Sequence, residues 1–351
     1  MANEEGVYVT FKAFDKDLKC NGFQYEIGKS YHTEEDINLI HHGFHGCITP
    51  LGLLTYYCKH RENYRRFAIV GQYGKVLSAN YDGDTISSSD IKIIKEISLK
   101  ELLDMGAKWL LQNETIEIAN KSFCKIDVSS YHNNSVISNG KNCQIYATSS
   151  VNSKICSFGK NTKLTSDENF NQMIVNGIDN SITINNTCFN KLLVFGINAD
   201  VACNGKNHYI HTFDSANISG NMEYSNINCD GNFTKIAIGG SYNEINVEKK
   251  FPIIASCGRC NTINSKGEKA RIVSCGSSDI INSKGKESVV VNVSYEGCAS
   301  AKVGSWITLA EYDRSNHFAP KCVKTEYVDG KRIKGNTLYT LVNGEFVEKK
   351  Q

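Results

Sequence analysis

An internal repeat of 18 residues is the feature that most restricts what this chain can fold into. Ile253 to Ala270 aligns without gaps on Arg271 to Ser288, with nine identical positions in 18. Cys257 then falls on Cys275, and Ser-Cys-Gly alternates with Ser-Lys-Gly at half the period. Stacked coils of a solenoid repeat in this way, because each coil completes its core only against its neighbours.

Short runs of alternating residues recur upstream at multiples of about nine positions, as strands separated by turns would. The sequence therefore predicts a mainly β protein with a parallel β-solenoid of about 18 residues per coil over residues 113–303, in roughly ten coils. A β-sandwich of many short strands would explain the alternation but not the gapless repeat. A calcium-binding nonapeptide solenoid is disfavoured, since G-G-x-G-x-D is absent.

The open ends of a solenoid need caps. Ser98 and Glu101 have the spacing of a capping box, and apolar residues at helical spacing follow, so we predict a capping helix over residues 98–112. At the other end, Asp329-Gly330 and Asn343-Gly344 are type I′ turn signals, and they predict a β-hairpin cap over residues 304–351.

Residues 1–97 are predicted to form a small α+β domain. An apolar helix is expected from Leu51 to Tyr57, after Pro50. The strands that we predict here are Tyr8 to Phe14, Phe23 to Tyr31, Phe67 to Val70 and Ile91 to Ile97.

Composition excludes several classes of function. The 351 residues carry a net charge of only +2, which disfavours nucleic-acid binding. Neither an apolar stretch of membrane-spanning length nor a signal peptide is present, so we expect a soluble protein in the cytoplasm of a host cell, without membrane association. The 14 cysteines are then expected to be reduced, and mostly buried.

Several histidines and cysteines have spacings that suggest metal ligands or a catalytic pair. The Cys257-x-x-Cys260 spacing is half a zinc site with no second half, and His42, His45 and Cys47 would supply three ligands without a fourth. Cys47 with His45 also lacks a third group to orient a nucleophile. We therefore expect neither metal nor cofactor. His208 and His211 are expected on the surface of solenoid turns.

Gly43, Phe44 and His45, followed by a helix to Tyr57 and the strand Phe67 to Val70, weakly resemble the ADP-ribosyltransferase fold. The resemblance implies a catalytic N-terminal domain acting on nicotinamide dinucleotide. Lys12 would replace the first-strand His or Arg of that family, and the acidic motif near the last strand is missing. The site residues under this alternative are Lys12, His45, Tyr57 and Glu96.

Segments at both ends of the chain resemble uncharacterised phage and prophage proteins. These segments are Phe11 to Leu18, Gly22 to Lys29, Gly43 to His45, Trp306 to Asp313 and Asn343 to Val347. The resemblance implies a mobile-element origin, with host interference or a virion role.

Three functions follow from these patterns. We favour a non-enzymatic binding protein whose solenoid engages a host protein, for example as an inhibitor of a host defence system. The alternatives are the transferase-like enzyme and a virion fibre or glycan-binding protein, although the solenoid lacks the clustered carboxylates needed to hydrolyse a glycan. The sequence leaves open the partner, the face used, the handedness of the solenoid and whether the chain forms a homo-oligomer.

Overall fold

The computed structural model describes residues 6–38, 42–50, 52–53, 66–78, 85–98, 101–102, 105–106, 109, 116–119, 121–127, 135–148, 153–313, 315 and 319–349. The chain divides into two compact units, Met1–Thr115 and Ile116–Gln351.

The first unit is a five-stranded antiparallel sheet that closes on itself. Its order is β4-β7-β5-β1-β6, and β7 also pairs with β6, so four of the strands form a small barrel. The strands of this unit are β1 (Tyr8–Phe14), β2 (Lys19–Cys20), β3 (Phe23–Gln24), β4 (Ser30–His32), β5 (Phe44–Cys47), β6 (Arg66–Ser78) and β7 (Thr85–Ile97).

Three of the four predicted strands of this unit are confirmed, the last two as parts of the longer β6 and β7. The predicted strand from Phe23 to Tyr31 is wrong, because β3 and β4 are separate and Gly28 between them has φ 86°. Pro50, Gly52 and Leu53 are helical, while Leu51 and residues 54–57 of the predicted helix lie outside the described residues.

The capping box is formed as predicted. The Ser98 N–H donates to the Glu101 carboxylate at 2.7 Å, and the Glu101 N–H donates to the Ser98 hydroxyl at 3.1 Å. The described residues between 101 and 109 are helical.

The second unit confirms the parallel β-solenoid, with about ten turns spaced about 18 residues apart between residues 125 and 309. Each coil gives one strand to each of two facing sheets. Sheet 1 contains β8 (Ile116–Ala119), β10 (Ser135–Ser138), β12 (Lys154–Ser157), β14 (Gln172–Val175), β16 (Lys191–Val194), β18 (Tyr209–Thr212), β20 (Asn226–Cys229), β22 (Glu244–Val247), β24 (Thr262–Ser265), β26 (Ile280–Ser283) and β28 (Cys298–Ala301).

Sheet 2 contains the alternate strands of the same coils, and its strands pair in parallel up to β29. Trp306 lies beyond the predicted solenoid boundary at 303, yet β29 continues the stack. Sheet 2 contains β9 (Lys125–Asp127), β11 (Gln144–Ala147), β13 (Lys163–Ser166), β15 (Ser181–Cys188), β17 (Ala199–Lys206), β19 (Ala216–Glu223), β21 (Lys235–Gly239), β23 (Ile253–Arg259), β25 (Arg271–Ser277), β27 (Val289–Asn292), β29 (Trp306–Asp313) and β30 (Ala319–Tyr327).

The core between the two sheets consists of columns of apolar side chains, and each coil contributes one residue to each column. Ile254, Ile272, Val290 and Ile307 form one such column, and each is 1% exposed or less. Burial of every inward side chain against the coils on either side explains why the apolar positions repeat at the coil period.

Turns between the sheets place a residue in the left-handed region about every nine positions. Many of these are Asn, which tolerates this geometry, but Phe170, Phe189, Tyr224 and Tyr242 also adopt it. The aromatic rings stack in pairs between coils, Phe170 on Phe189 at 5.1 Å and Tyr224 on Tyr242 at 5.0 Å. Stacking offsets part of the backbone cost of the turn.

On one side of the solenoid, the residue that follows each turn points inward, and these residues form a polar ladder. Its members are all 2% exposed or less. The side chain of each accepts a hydrogen bond from a backbone N–H of the coil before it, at 2.7–3.3 Å. The ladder consists of Asn171, Asn190, His208, Ser225, Asn243, Asn261 and Asp279.

The C-terminal cap is antiparallel. β30 pairs with β29, and β31 (Tyr339–Val342) forms a hairpin with β32 (Glu345–Glu348) through Asn343 and Gly344, as predicted. The hairpin predicted at Asp329-Gly330 is wrong. The Asp329 carboxylate instead accepts the N–H groups of Lys331 at 2.8 Å and Ile333 at 3.1 Å, which folds the chain into a local turn after β30.

Candidate functional site

Lys12 is buried inside the barrel and is only 5% exposed. Its Nζ donates to the His45 carbonyl oxygen at 2.7 Å and lies 5.3 Å from the centre of the Tyr25 ring. Burial by itself lowers the pKa of this amine, but Tyr25 and two nearby thiols outweigh it, so the pKa is raised. The amine is held by a carbonyl oxygen and the face of a ring, contacts that suit an ammonium ion and not an amine nucleophile.

The other residues of the transferase-like alternative have separate partners. The His45 ring contacts the Asn38 carbonyl oxygen at 3.2 Å, and the His45 main-chain carbonyl accepts the hydrogen bond from Lys12. The Glu96 carboxylate accepts two hydrogen bonds from Arg66, at 2.7 and 2.6 Å, and the ion pair lowers the pKa of Glu96. Tyr57 lies outside the described residues.

The solenoid histidines are buried, so the expectation that they lie on the surface is wrong. His208 is 2% exposed and occupies the inward ladder, while His211 is 8% exposed and faces Asp230. His208 follows a turn and points inward, whereas His211 lies on β18 between the inward Ile210 and Thr212 and stacks on the Phe213 ring at 4.0 Å. Among the described residues, no three His, Cys, Asp or Glu side chains are grouped so as to hold a metal ion.

A cleft of about 440 Å³ lies at the C-terminal cap. Glu311 on its wall accepts the Gly344 N–H at 2.8 Å and a hydrogen bond from Lys321 at 3.2 Å, and these donors lower the pKa of Glu311. The carboxylate is therefore ionised and held in place, unlike a general acid, whose pKa must be raised. The lining residues are Tyr295, Glu296, Ala310, Glu311, Tyr312, Thr340, Leu341, Val342 and Lys349.

The outer surface of sheet 2 changes character along the solenoid. In its earlier coils many outward positions are polar, such as Asp200, Asn217 and Lys235. From β23 onward six large apolar side chains occupy outward positions and are 43–57% exposed. We call this set the apolar face, and it consists of Ile253, Val273, Val289, Trp306, Val323 and Tyr327.

Strand pairing places the apolar face on five adjacent strands, from β23 to β30. Ile253, Arg271, Val289, Trp306 and Tyr327 are opposite one another in consecutive strands. The Trp306 and Tyr327 rings lie 5.0 Å apart at its C-terminal end. The strands of the face are in register, and the residues that alternate with it along each strand point into the core.

Sheet 1 of the same coils has a different outer surface. Asn228, Asn246, Asn264 and Asn282 stack there, and the amides of the last three each donate to the amide oxygen of the coil before at 2.9–3.0 Å. This ladder satisfies its own polar groups, so it needs no partner. The solenoid therefore carries exposed apolar side chains on one of two comparable surfaces, and this contrast makes the apolar face the candidate functional site.

Sequence analysis did not single out the apolar face, although a signal was present. Val289 to Val291 is a continuous apolar run, which is typical of a strand that buries both of its faces. In the structure Val290 is buried and Val289 is 47% exposed. One face of this strand is thus buried in the core, and the other is exposed to solvent.

Comparison with known proteins covers only the first unit. A family described as a domain of unknown function (DUF7666) matches residues 8–105. No curated protein and no solved structure matches the chain. None of the helices in the described part of the chain has the length and apolar character of a membrane span.

Proposed function

We propose that this is a non-enzymatic binding protein, encoded by a phage or prophage, whose solenoid holds the apolar face against a host protein. A defence protein of the host is the partner that fits the mobile-element resemblance. The observation that carries the proposal is the set of six large apolar side chains exposed together on the outer surface of sheet 2, where sheet 1 of the same coils carries a hydrogen-bonded Asn ladder.

The size of the face supports a protein partner. Five strands about 4.8 Å apart, with outward positions about 6.6 Å apart, give a surface on the order of 400 Å², which is at the upper end of apolar patches on monomeric proteins. A standard interface buries about 800 Å² per partner, so the face would form its apolar centre. Arg271 within it and Trp306 at its edge are of the residue types enriched at such centres.

The test is capture of a host protein by the tagged full chain from a bacterial lysate, compared between two matched variants. Ala237, Ala255 and Val273 occupy the same outward column on successive strands. Val273→Lys places a charge inside the apolar face, and Ala237→Lys places the same charge in the same column outside it. We expect one stoichiometric host protein to be retained by the wild type and by Ala237→Lys, and at least tenfold less of it by Val273→Lys.

The alternatives give different results. Retention unaffected by both Val273→Lys and Trp306→Ala would place the binding site elsewhere. Transfer of label from nicotinamide dinucleotide to a protein would support the enzyme instead. Incorporation into virions, or binding to a glycan without a host protein, would support the fibre.

A further inference from the structure

The first two strands of sheet 2 begin directly after a cysteine. Cys124 precedes β9 and Cys143 precedes β11, and their sulfur atoms are 2.8 Å apart. A disulfide bond brings two sulfurs to about 2.05 Å. The thiols are thus already in contact across two adjacent coils.

The backbone holds these two residues in equivalent positions. The residue before each is in the left-handed region, Phe123 with φ 59° and Asn142 with φ 56°. The residues after them pair in register, Lys125 with Gln144. Equivalent positions of paired strands are about 4.8 Å apart, within the Cα separation of about 4.4–6.8 Å that a disulfide accepts.

The sulfur of Cys143 has little room to move away. It lies 3.3 Å from the Lys121 carbonyl oxygen, and a Cβ at Gly140 would stand 2.6 Å from it. Cys143 is buried and Cys124 is half-buried. A small oxidant can therefore reach the pair from the side of Cys124.

We propose that Cys124 and Cys143 are a peroxide-oxidisable pair whose disulfide ties the end strand of sheet 2 to its neighbour. The thiolate of one cysteine attacks an oxygen of hydrogen peroxide and breaks the O–O bond. A sulfenic acid forms, and the hydroxide that leaves takes up the proton released by the thiol and becomes one water. The second thiol attacks the sulfenic sulfur, the S–S bond forms and a second water leaves. Two thiols are oxidised by two electrons, and one peroxide is reduced to two waters.

The hydrogen bond between the thiols assists the first step. Cys124 donates to Cys143, which lowers the pKa of Cys143, while burial and the same contact raise the pKa of Cys124 to about 11. The pair therefore loses its first proton more easily than a lone thiol would, and the thiolate is the reactive form.

The position of the pair gives the disulfide a mechanical role. Among the described residues, β9 is the end strand of sheet 2 and pairs with β11 through three residue pairs. Terminal strands of a solenoid open first, because each coil is stabilised by its neighbours. A covalent link beside β9 would close this opening without changing the strand register.

The experiment uses the full chain carrying Cys257→Ser and Cys275→Ser, which removes the exposed in-register pair on β23 and β25. The protein is treated with hydrogen peroxide, alkylated and digested with trypsin without reductant. We expect residues 122–125 linked to residues 142–154, each peptide carrying one cysteine. We also expect amide exchange at 125–127 to slow by about tenfold on oxidation and to recover with a reductant.

Cys124→Ser in the same background is the control, and it should abolish both the linked peptide and the change in exchange. Alkylated or sulfinic Cys124 and Cys143 in the oxidised sample would overturn the proposal, as would a disulfide from either one to another cysteine. A correct link with unchanged exchange at 125–127 would overturn the role in holding β9. Circular dichroism of Cys124→Ser and of Cys143→Ala shows whether each variant is folded before its result is read.

Discussion

At the scale of single residues, the inward polar ladder shows how a narrow solenoid satisfies the backbone at its turns. Each buried N–H there would otherwise lack an acceptor, at a cost of about 1–3 kcal/mol. Asn261, for example, accepts the Asn243 N–H at 2.9 Å and donates its own amide to the Gly240 carbonyl at 3.0 Å. Most members are neutral acceptors, and His208 is the one imidazole among them.

His208 makes the stability of the solenoid depend on pH. Its Nδ1 accepts the Asn190 N–H at 3.3 Å and its Nε2 lies 3.2 Å from the Asn204 carbonyl oxygen, which together require a neutral ring. Burial lowers the pKa of His208 below its usual 6.5. On acidification the unfolded chain binds the proton first, so stability is lost as pH falls through about 6.5 and until the lower folded pKa is reached.

We expect His208→Asn to remove this loss, because Asn occupies the equivalent position in four neighbouring coils. Urea unfolding of both proteins between about pH 7.5 and pH 5.5 measures it. The wild type should lose about 1 kcal/mol more than the variant over this range. Equal slopes for the two proteins would contradict the prediction.

At the scale of elements, close stacking of successive turns leaves some positions no space for a side chain. Gly258 has φ 153°, and a Cβ there would stand 1.8 Å from the Gly240 carbonyl oxygen. Gly239, at the end of β21, would bring a Cβ no closer than 3.3 Å, to the end of the Asn221 side chain. The two glycines are neighbours in the fold but differ in what a methyl group would meet.

Gly258→Ala should therefore destabilise the protein by about 3 kcal/mol, because the blocking atom belongs to the backbone of the adjacent coil. Gly239→Ala is the matched control and should change stability by less than about 1 kcal/mol. Chemical denaturation of the two variants beside the wild type measures both values. A Gly258→Ala variant as stable as its control would show that adjacent coils separate more easily than this packing indicates.

Elements with a local signal could be predicted from sequence. Ser98 and Glu101 formed their capping box, Asn343-Gly344 formed its hairpin, and the 18-residue repeat became the coil. Asp329-Gly330 failed because the Asp329 side chain competes for the backbone N–H groups of its own turn. A rule based on the Asp-Gly pair alone cannot decide between a hairpin and a turn closed by the Asp side chain, since both use the same two residues.

Features that depend on three-dimensional stacking could not be predicted in this way. The burial of Lys12 follows from closure of the barrel, and the burial of His208 follows from the coils on either side. To predict the apolar face, one must know which of the two alternating sets of residues in each strand faces the core. A run such as Val289 to Val291 is apolar in both sets, so it does not decide this. Sequence thus predicted the architecture better than the candidate site.

At the scale of the whole molecule, the solenoid is a one-dimensional stack, so its length should be adjustable in units of one coil. Removing residues 271–288 joins Ala270 to Val289, which occupies the sheet position of Arg271. The excised chain should fold cooperatively with slightly reduced stability. Thermal unfolding followed by circular dichroism measures this.

Removing residues 271–279 is the matched control for that excision. It would place the sequence of β26 in sheet 2 and send every later strand to the opposite sheet. The antiparallel caps β30 and β31 would then lose the strands they pair with. We expect this shorter deletion to be more damaging than the longer one, and the reverse order would contradict a coil as the unit of folding.

The rigidity of the apolar face also decides how it would associate. Ile253, Val273 and Val289 are β-branched and have few side-chain rotamers, and in-register strands on both sides hold their backbone. Such side chains lose little conformational entropy when a partner covers them. Contact with this surface would therefore be the docking of a preorganised template, driven by the release of water and accompanied by a negative change in heat capacity.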